Sequence, residues 1–498
     1  MRSPGAAMVR RRLARLGFVL PSTWLFGAGR RRRLGRTVVA IVDCLCLSAA
    51  GLSVVLLCYL LQSFPSVDND DEPCRCTGDM QKVCPCISAA DSPEPSSSTL
   101  AERIAKSTGG DRKAVHDSIA KTPADLGMTL RHVQVFFRHG ARTPLKHVAG
   151  FDDGDYNLEL FDGTASCDAV PVAVRSLDGG PRPVSTKDEQ YKNLTFRGGA
   201  RAGQLTALGR LQALSLGRNL RLRYVNKAHL IGSEYDSNDI YVRATNRQRC
   251  LETAQCVLAG MYEKSLGKAT TVVVHTATDE QEMLYPNTKM CRFLKEMRAN
   301  IPGLLAAIPD YRAVESAFYE HVGHGANRRL DVMQLRDHIV MRLAHGLPVD
   351  PFFLAMSEAI DREAVRVIKM EMCGVEAEQR MILPLSAGPL LKMIRENLDA
   401  AMQDPPPSTR IRLYSSQDAT LVTLLVAIGC YDEQWPPYVG ELAFELYEDT
   451  NHNHWVQILY GGQRLTLQGL TGPLMTVKEF FDVADRFRPI DGECDRTI

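Results

Sequence analysis

The hydrophobic positions from about residue 130 onward fall into two recurring patterns. Short apolar runs predict strands that are buried on both faces, and leucines spaced three or four positions apart predict amphipathic helices. The predicted strands and helices alternate: strands at residues 130–137, 239–243, 270–275 and 411–415, and helices at 205–220, 247–261, 388–402 and 419–428. This alternation predicts an α/β fold, a three-layer sandwich in which helices cover both faces of a mostly parallel central sheet.

Three parts of the chain after residue 129 depart from this alternation. Residues 286–384 have helical periodicity throughout, and residues 148–202 are rich in loop-forming residues, so both predict insertions that together form a smaller, mainly helical cap domain. Residues 441–447 and 454–460 predict the two strands of a hairpin. We therefore predict one domain over residues 129–498 that carries two cap insertions.

The first 128 residues have a different composition. Residues 1–36 contain ten Arg and no Lys, Asp or Glu, and residues 37–61 are a mainly apolar stretch with a single charge, Asp43. A stretch of this length predicts a transmembrane helix over residues 37–62, since Asp43 lies about one turn from the basic flank. Residues 63–128 are rich in Ser, Pro and Asp, which predicts a stalk or linker.

The charges that flank the apolar stretch predict its orientation. Arginines precede it and acidic residues follow it, so the positive-inside bias places residues 129–498 in a lumen or outside the cell. An Arg-rich start without acidic residues is also typical of a mitochondrial import sequence, here followed by a membrane anchor, and that alternative stays open. The net charge of +1 excludes a chain that binds nucleic acid through its overall charge.

The fourteen cysteines are unevenly distributed. Four of them form a C-x-C-x7-C-x-C pattern just beyond the apolar stretch: Cys74, Cys76, Cys84 and Cys86. Two disulfides, a zinc site and free thiols are all compatible with that spacing. The seven cysteines after residue 129 are isolated from one another, and we expect most of them to be buried or paired. Asn193 begins an Asn-Leu-Thr pattern for N-glycosylation, which has meaning only in a lumenal chain.

The strongest chemical signal lies at the end of the first predicted strand. Residues 133–144, VQVFFRHGARTP, place Arg138, His139 and Arg142 after a buried apolar run. Ligands of open α/β sheets bind at the carboxyl ends of the strands. A guanidinium matches the oxygens of a phosphoryl group and an imidazole can attack phosphorus, so this cluster predicts phosphate chemistry. No Walker loop, GxGxxG motif or zinc-protease motif is present.

Two other strand ends carry polar candidates. Arg243 ends the predicted strand 239–243, and Gln417 with Asp418 follows the predicted strand 411–415. The carboxyl ends of parallel strands meet along one edge of a sheet. We therefore expect these three side chains to lie near His139.

Several motifs resemble those of the histidine acid phosphatases. They are R-H-G-A-R-T-P from Arg138, G-Q-L-T-x2-G from Gly203, V-R-A-T from Val242 and Q-D-A-T from Gln417. Three longer segments resemble the lysophosphatidic acid phosphatase branch of that family: residues 177–183, 284–291 and 440–449. The resemblance covers about residues 129–490 and leaves the predicted membrane helix and stalk unexplained.

The resemblance implies that phosphate monoesters are hydrolysed in two steps. His139 is then the nucleophile that forms a phosphohistidine, and Asp418 first protonates the leaving alkoxide and later accepts a proton from water. Arg138, Arg142 and Arg243 are implied to bind the phosphate oxygens. Such a site needs no metal and no other cofactor, since the arginines supply the positive charge. The implied substrate is lysophosphatidic acid or a related lysophospholipid.

One position departs from the family pattern, which has His where this chain has Gln417. An amide can donate a neutral hydrogen bond to a phosphate oxygen, but it adds no charge, and charge-assisted bonds are about twice as strong. We therefore expect a phosphatase slowed by about tenfold to a few hundredfold. The missing cation is also expected to raise the pKa of Asp418.

Alternatives to a lysophospholipid phosphatase stay open at this point. The glutamine favours a weakly active or inactive protein that binds phosphate esters, and the membrane layout suits a sugar-phosphate phosphatase of the secretory pathway. A phosphoglycerate mutase-type enzyme shares the RHG core, but the RTP and Gln-Asp motifs favour the acid phosphatases. We expect a monomer with a small-molecule substrate and no nucleic-acid partner.

Overall fold

The structure, a computed structural model, describes residues 122–152, 154–163, 167, 170–262, 271–323, 329–489 and 492–495. All of them belong to one compact unit, Glu94–Ile498. The Arg-rich segment, the predicted membrane helix, the C-x-C-x7-C-x-C cysteines and the predicted stalk before residue 122 lie outside the described residues. Within the described ranges, no helix is both long and apolar enough to cross a membrane.

A mixed nine-stranded sheet forms the centre of the described chain. Its strands are β1 (Thr129–Arg138), β2 (Val172–Ser176), β3 (Ile240–Ala244), β4 (Val272–Thr276), β5 (Ile411–Ser416), β6 (Glu441–Glu448), β7 (His454–Tyr460), β8 (Gln463–Arg464) and β9 (Leu474–Thr476). The order is β2-β4-β3-β5-β1-β6-β7-β8, with β9 beside β7. The first five strands in this order are parallel, and the others are antiparallel to their neighbours. The predicted parallel arrangement is therefore confirmed for these five strands only.

Four of the five parallel strands, β1, β3, β4 and β5, appear where the apolar runs predict them. Side chains alternate along β1, so that Val133, Val135 and Phe137 pack on one face of the sheet while Phe136 packs on the other. Because both faces are covered, apolar side chains point to both sides of the strand, and among residues 133–137 only the buried Gln134 is polar. The predicted hairpin is also confirmed, by β6 and β7.

The helices of the described residues lie on both faces of this sheet and in the insertion between β4 and β5. They are α1 (Thr186–Lys192), α2 (Ala207–Leu220), α3 (Gln248–Tyr262), α4 (Arg292–Leu305), α5 (Pro309–Val322), α6 (Val332–Ala344), α7 (Pro351–Ala355), α8 (Ser357–Cys373), α9 (Gln379–Ser386), α10 (Gly388–Ala401), α11 (Asp418–Ala427) and α12 (Val477–Asp485), and a π-helix, Arg221–Lys227, continues α2. Leu214 and Val257 of α2 and α3 pack on one face, and Leu391 and Leu421 of α10 and α11 pack on the other. The three-layer sandwich is confirmed.

The predicted helical insertion has an apolar core of its own. Leu294, Phe318 and Leu335 belong to a hydrophobic cluster that is distinct from the two clusters on the sheet, and Val148 and Phe151 join it. Helices α4 to α8 surround this cluster, and we call this part of the molecule the cap. These helices thus bury apolar surface of their own, apart from the two clusters on the sheet.

The prediction that all of residues 148–202 belong to the cap is wrong for β2. This strand pairs in parallel with β4 and forms one edge of the main sheet. It is only five residues long and lies half-buried at the edge, so its apolar pattern is weak. Residues on either side of it do contact the cap, where Tyr156 and Phe196 pack against Met341 of α6.

Two disulfides join segments that are far apart in the sequence. Cys167 is bonded to Cys256 in α3, and Cys291, at the start of α4, is bonded to Cys494 near the C-terminus. The other cysteines of the described residues are free, and they are Cys250 and Cys373, which are buried, and Cys430, which is half-buried. The expectation that these cysteines are buried or paired is confirmed for all but Cys430.

Helices α2 and α3 approach each other through glycines. A Cβ at Gly217 would lie 2.1 Å from the carbonyl oxygen of Val257, and one at Gly260 would lie 2.2 Å from that of Leu214. We expect Gly217→Ala and Gly260→Ala each to lower the free energy of unfolding by about 1–3 kcal/mol, because the helices must separate. Denaturant unfolding measures the loss. Gly303→Ala in α4, where nothing lies within 4 Å, is the control, and an equal loss there would contradict the account.

Candidate active site

His139 follows β1 at the carboxyl edge of the parallel strands. Its backbone N–H donates to the carbonyl oxygen of Ser416 at the end of β5, over 3.2 Å, and its ring Nδ1 lies 2.9 Å from the carbonyl oxygen of Gly140. A carbonyl oxygen only accepts, so Nδ1 carries the proton and Nε2 keeps its lone pair. A Cβ at Gly140 would lie 2.3 Å from the carbonyl oxygen of Gly209, so this turn of the motif requires glycine.

Burial and three arginines lower the pKa of His139. The side chain is 1% exposed, and desolvation is the largest cause, followed by the charges of Arg249, Arg142 and Arg138. These effects outweigh the hydrogen bond to Gly140 and hold the pKa well below its ordinary value. His139 is therefore a neutral imidazole with one nitrogen available for attack.

The neutral state of His139 determines how kcat/KM is expected to change as the pH falls. A nucleophile must be unprotonated, so a histidine with an ordinary pKa would lose activity as the pH falls through about 6.5. Since the pKa of His139 lies well below that value, we expect kcat/KM to be maintained down to about pH 5. The measurement is a pH profile with an aryl phosphate, corrected for the ionisation of the substrate. A remaining acid limb near pH 6.5 would contradict the account.

Arg138 and Arg142 are buried, and both are held by fixed partners. The guanidinium of Arg138 donates to the carbonyl oxygen of Pro436 over 2.8 Å and pairs with Asp418, Nη2 to Oδ2, over 3.1 Å. Nη1 of Arg142 pairs with Oδ2 of Asp337 in α6 over 2.7 Å. In both arginines the buried Nε has no hydrogen-bond partner among the described residues. The partners fix the two guanidiniums and leave N–H groups for an anion.

A third arginine at the site is Arg249, in the first turn of α3. Its Nη2 donates to Oε1 of Gln417 over 3.2 Å, and its buried Nε and Nη1 have no partner among the described residues. Because a guanidinium only donates, the amide oxygen of Gln417 must face Arg249, which turns the NH2 group of the amide to the other side. Arg249 also has the largest effect of any arginine on the pKa of His139.

Arg243 lies within β3 rather than beyond its end. Its Nη2 pairs with Oε1 of the buried Glu282 over 3.0 Å, and the same oxygen accepts the backbone N–H groups of Met283 and Leu284. Successive side chains of a strand point to opposite faces of the sheet, so a position inside a strand does not direct its side chain along the sheet edge. Of the two arginines, Arg249 is the one that acts on His139 and contacts Gln417.

Asp418 is the first residue of α11, and several donors surround it. Its Oδ1 accepts from the N–H of Ala419 over 2.9 Å, and its Oδ2 accepts from Nε1 of Trp435 over 3.0 Å. Burial alone raises the pKa of Asp418, but the charges of Arg138 and Arg142 and these two hydrogen bonds outweigh it and lower the pKa. The pKa of Asp418 in the unliganded site thus lies below its ordinary value, and the expected rise relative to a site with His at position 417 stays a prediction.

Four residues at the site are absent from the sequence prediction: Arg249, Asp337, Trp435 and Tyr438. The ring of Tyr438 lies under the guanidinium of Arg138, 4.6 Å away, and its buried hydroxyl has no partner among the described residues. The position of Arg249 was available from the sequence, because it opens the helix that follows a predicted strand, as Asp418 does. Asp337 is part of the cap, and no local pattern in the sequence points to it.

The sequence-predicted residues are thus brought together with one exception. Arg138, His139, Arg142, Gln417 and Asp418 meet at the edge of the sheet formed by the ends of β1 and β5, and Arg243 faces Glu282 instead. The cluster can hold a phosphoryl group between guanidiniums, attack it with an imidazole and exchange a proton with a carboxyl group. Across the described ranges, no group of three or more His, Cys, Asp or Glu side chains is arranged to hold a metal ion.

The chain is similar to known proteins over most of its length. A family model of the histidine phosphatase superfamily (branch 2) matches residues 129–387 and 373–461. The lysophosphatidic acid phosphatase type 6 of Mus musculus is 32% identical over 359 residues, 71% of this chain and 84% of that protein. The protein of the same name from Homo sapiens is 30% identical over 373 residues, 74% of this chain and 86% of that protein.

The fold is also similar to a solved structure. The Hafnia alvei phytase in its apo form superposes with a TM-score of 0.51 over 75% of this chain and 99% of that chain, at 15% identity. At this identity the likeness concerns the fold alone. Since the family model spans more than half of the sequence, the chain belongs to branch 2 of the histidine phosphatase superfamily, and it is an acid phosphatase.

Proposed function

We propose that the protein hydrolyses phosphate monoesters through a phosphohistidine formed on His139. The observation that carries the proposal is a neutral imidazole, with its Nε2 lone pair available, beside the buried arginines 138, 142 and 249. Each of these arginines keeps at least one N–H group without a partner among the described residues. Buried unpaired donors are costly, so their convergence favours an anionic ligand.

In the first step the unpaired arginine N–H groups and the amide of Gln417 hold the phosphate oxygens. Nε2 of His139 attacks phosphorus, so that an N–P bond forms as the ester P–O bond breaks. Asp418 gives its proton to the departing alkoxide. The products of this step are the alcohol, the phosphohistidine and ionised Asp418.

In the second step Asp418 accepts a proton from water as the water oxygen attacks phosphorus. The N–P bond breaks, inorganic phosphate leaves and Asp418 is protonated again, so protons and atoms balance. In the unliganded site the pKa of Asp418 is lowered. A bound phosphate places negative charge beside the carboxyl group and raises that pKa, which favours the protonated acid when substrate is present.

The replacement Gln417→His tests whether glutamine slows the reaction. A protonated His there would add a charge-assisted bond to phosphate, and we expect turnover to rise by about tenfold. Gln417→Ala removes the amide donor and is expected to lower turnover by about tenfold or more. Steady-state kinetics on an aryl phosphate measure both. Unchanged turnover in Gln417→His would contradict this role, and wild-type turnover near background would favour a phosphate-binding protein without activity.

We further propose a lysophospholipid such as lysophosphatidic acid as the substrate. The support is the similarity, at about 30% identity, to proteins named lysophosphatidic acid phosphatase type 6. The test compares kcat/KM of the full chain in detergent micelles on lysophosphatidic acid and on phosphorylated sugars. Preference for the lipid supports the proposal, and preference for a sugar phosphate replaces it with a sugar-phosphate phosphatase.

We propose a lumenal or extracellular location for residues 129–498. The two disulfides support an oxidising compartment, and Asn193 of the glycosylation pattern is exposed at the C-cap of α1. The test is the gel mobility of the full chain made in a eukaryotic cell, before and after glycosidase treatment. A shift that Asn193→Gln removes supports the proposal, and a mitochondrial location without a shift overturns it. The predicted monomer and the predicted membrane helix stay predictions.

A further inference from the structure

Trp435 links the carboxyl group of Asp418 to the cap. Its indole Nε1 donates to Oδ2 of Asp418 over 3.0 Å, and that oxygen also pairs with Arg138. The indole ring packs against both the hydrophobic cluster of the sheet and that of the cap. One side chain therefore contacts the proposed general acid and the interface between the two parts of the molecule.

The cap holds Trp435 through Arg336 of α6. The guanidinium of Arg336 lies over the indole ring, 4.4 Å from its centre, and its Nε pairs with Oδ1 of Asp361 in α8 over 2.5 Å. Both members of this ion pair are buried. The next residue of α6, Asp337, pairs with Arg142. Helix α6 thus contacts the reaction centre at two neighbouring positions.

We propose that Trp435 is a positioning residue for Asp418, through which the cap orients the carboxyl group and sets its readiness to give up a proton. The proposal rests on the proposed function, in which Asp418 is the general acid. The indole N–H of Trp435 can only donate a hydrogen bond. It therefore stabilises the ionised carboxylate of Asp418 more than the neutral acid. No bond is made or broken by Trp435.

Other charged groups face Asp418 from every element around it. Arg138 ends β1, Arg142 follows it, and both lower the pKa of Asp418. The neighbouring Gln417 is neutral and accepts a hydrogen bond from Arg249. In the cap, the guanidinium of Arg336 lies over the indole ring of Trp435, which in turn donates to Asp418. The N-terminus of α11 adds the favourable end of a helix dipole. Removing the indole N–H leaves these charges in place, so its own contribution can be measured.

The experiment is the pH dependence of kcat, which reports the ionisation of Asp418 with the substrate bound, for Trp435→Phe in the full chain. Without the donor the pKa of Asp418 rises, its acid form persists to higher pH, and the alkaline limb is expected to move up by about one pH unit. The substrate is common to both proteins, so its own ionisation cancels in the comparison. Trp455→Phe is the matched control, because Nε1 of Trp455 donates to Asp449 in the turn between β6 and β7. That control should keep the wild-type profile.

A double-mutant cycle separates positioning from general damage. In an Asp418→Asn background Trp435→Phe is expected to have no further effect on turnover, because Trp435 acts through Asp418. Trp435→His keeps a ring N–H donor and should not move the alkaline limb upward. If the Phe variant does not fold, as judged by thermal unfolding, the cycle is run with Trp435→Leu, which also lacks the donor.

Two outcomes overturn the inference while leaving the proposed function intact. One is an active Trp435→Phe protein with the wild-type alkaline limb. The other is an effect of the substitution at Trp435 that persists unchanged in the Asp418→Asn background. Failure of the proposed function is a different result, since the wild-type protein would then release no phosphate from a monoester at any pH.

Discussion

Replacing His139 with Asn is expected to lower kcat for a phosphate monoester by at least about 10⁴-fold. The nucleophile forms the covalent intermediate, and its loss leaves only binding and electrostatic stabilisation. Asn is close in size to His, so the buried arginines should stay in place. The measurement is the initial rate of phosphate release, together with thermal unfolding.

The matched control for this substitution is His229→Asn. His229 is exposed and has a positive φ of 49°, a conformation that Asn adopts readily. It should keep wild-type kcat. A His139→Asn protein that is folded and retains more than about a hundredth of the wild-type rate would show that the attack does not come from His139.

Replacing Arg249 with Met is expected to lower kcat/KM by about 10²- to 10³-fold. The guanidinium of Arg249 contacts Gln417, acts on His139 and keeps two N–H groups without a partner among the described residues. Loss of an oxyanion donor reduces turnover by this amount in other enzymes. The measurement is steady-state kinetics on an aryl phosphate, which has no acyl chain to complicate binding.

Arg243 provides the control for Arg249. Removing Arg243 alone would leave Glu282 as a buried unpaired charge, so the control is the double variant Arg243→Met/Glu282→Gln, which neutralises the ion pair. We expect it to stay within about tenfold of the wild-type kcat/KM. A loss in the double variant that matches or exceeds that of Arg249→Met would return the phosphate-binding role to Arg243.

The sequence predicts those parts of the fold that depend on local periodicity. The apolar run of β1 and the leucine spacing of α2 both reflect burial within or against the sheet, and both elements are confirmed. The pairing of strands is not local. The short edge strand β2 is half-buried and is far from β4 in the sequence, so its place in the sheet is set by tertiary contacts.

The same distinction applies to the site. His139 and Arg138 were predicted because the chemistry and the strand end lie within one short motif. The sequence predicts Arg243 at the site because it ends a predicted strand, but Arg243 lies inside β3 and pairs with Glu282. The roles of Asp337 and Trp435 depend on how the cap packs over the sheet, and no spacing within the sequence encodes that contact.

A phosphohistidine at His139 can be detected directly if the reaction is quenched without acid. The full chain is mixed with a ³²P-labelled phosphate monoester, quenched in alkaline denaturant and digested, and the labelled peptide is identified. The account predicts a label on the peptide that contains His139, stable in alkali, lost in acid, and absent from His139→Asn. Phosphate release from the wild-type protein with no labelled peptide, or with a label that persists in His139→Asn, would contradict it.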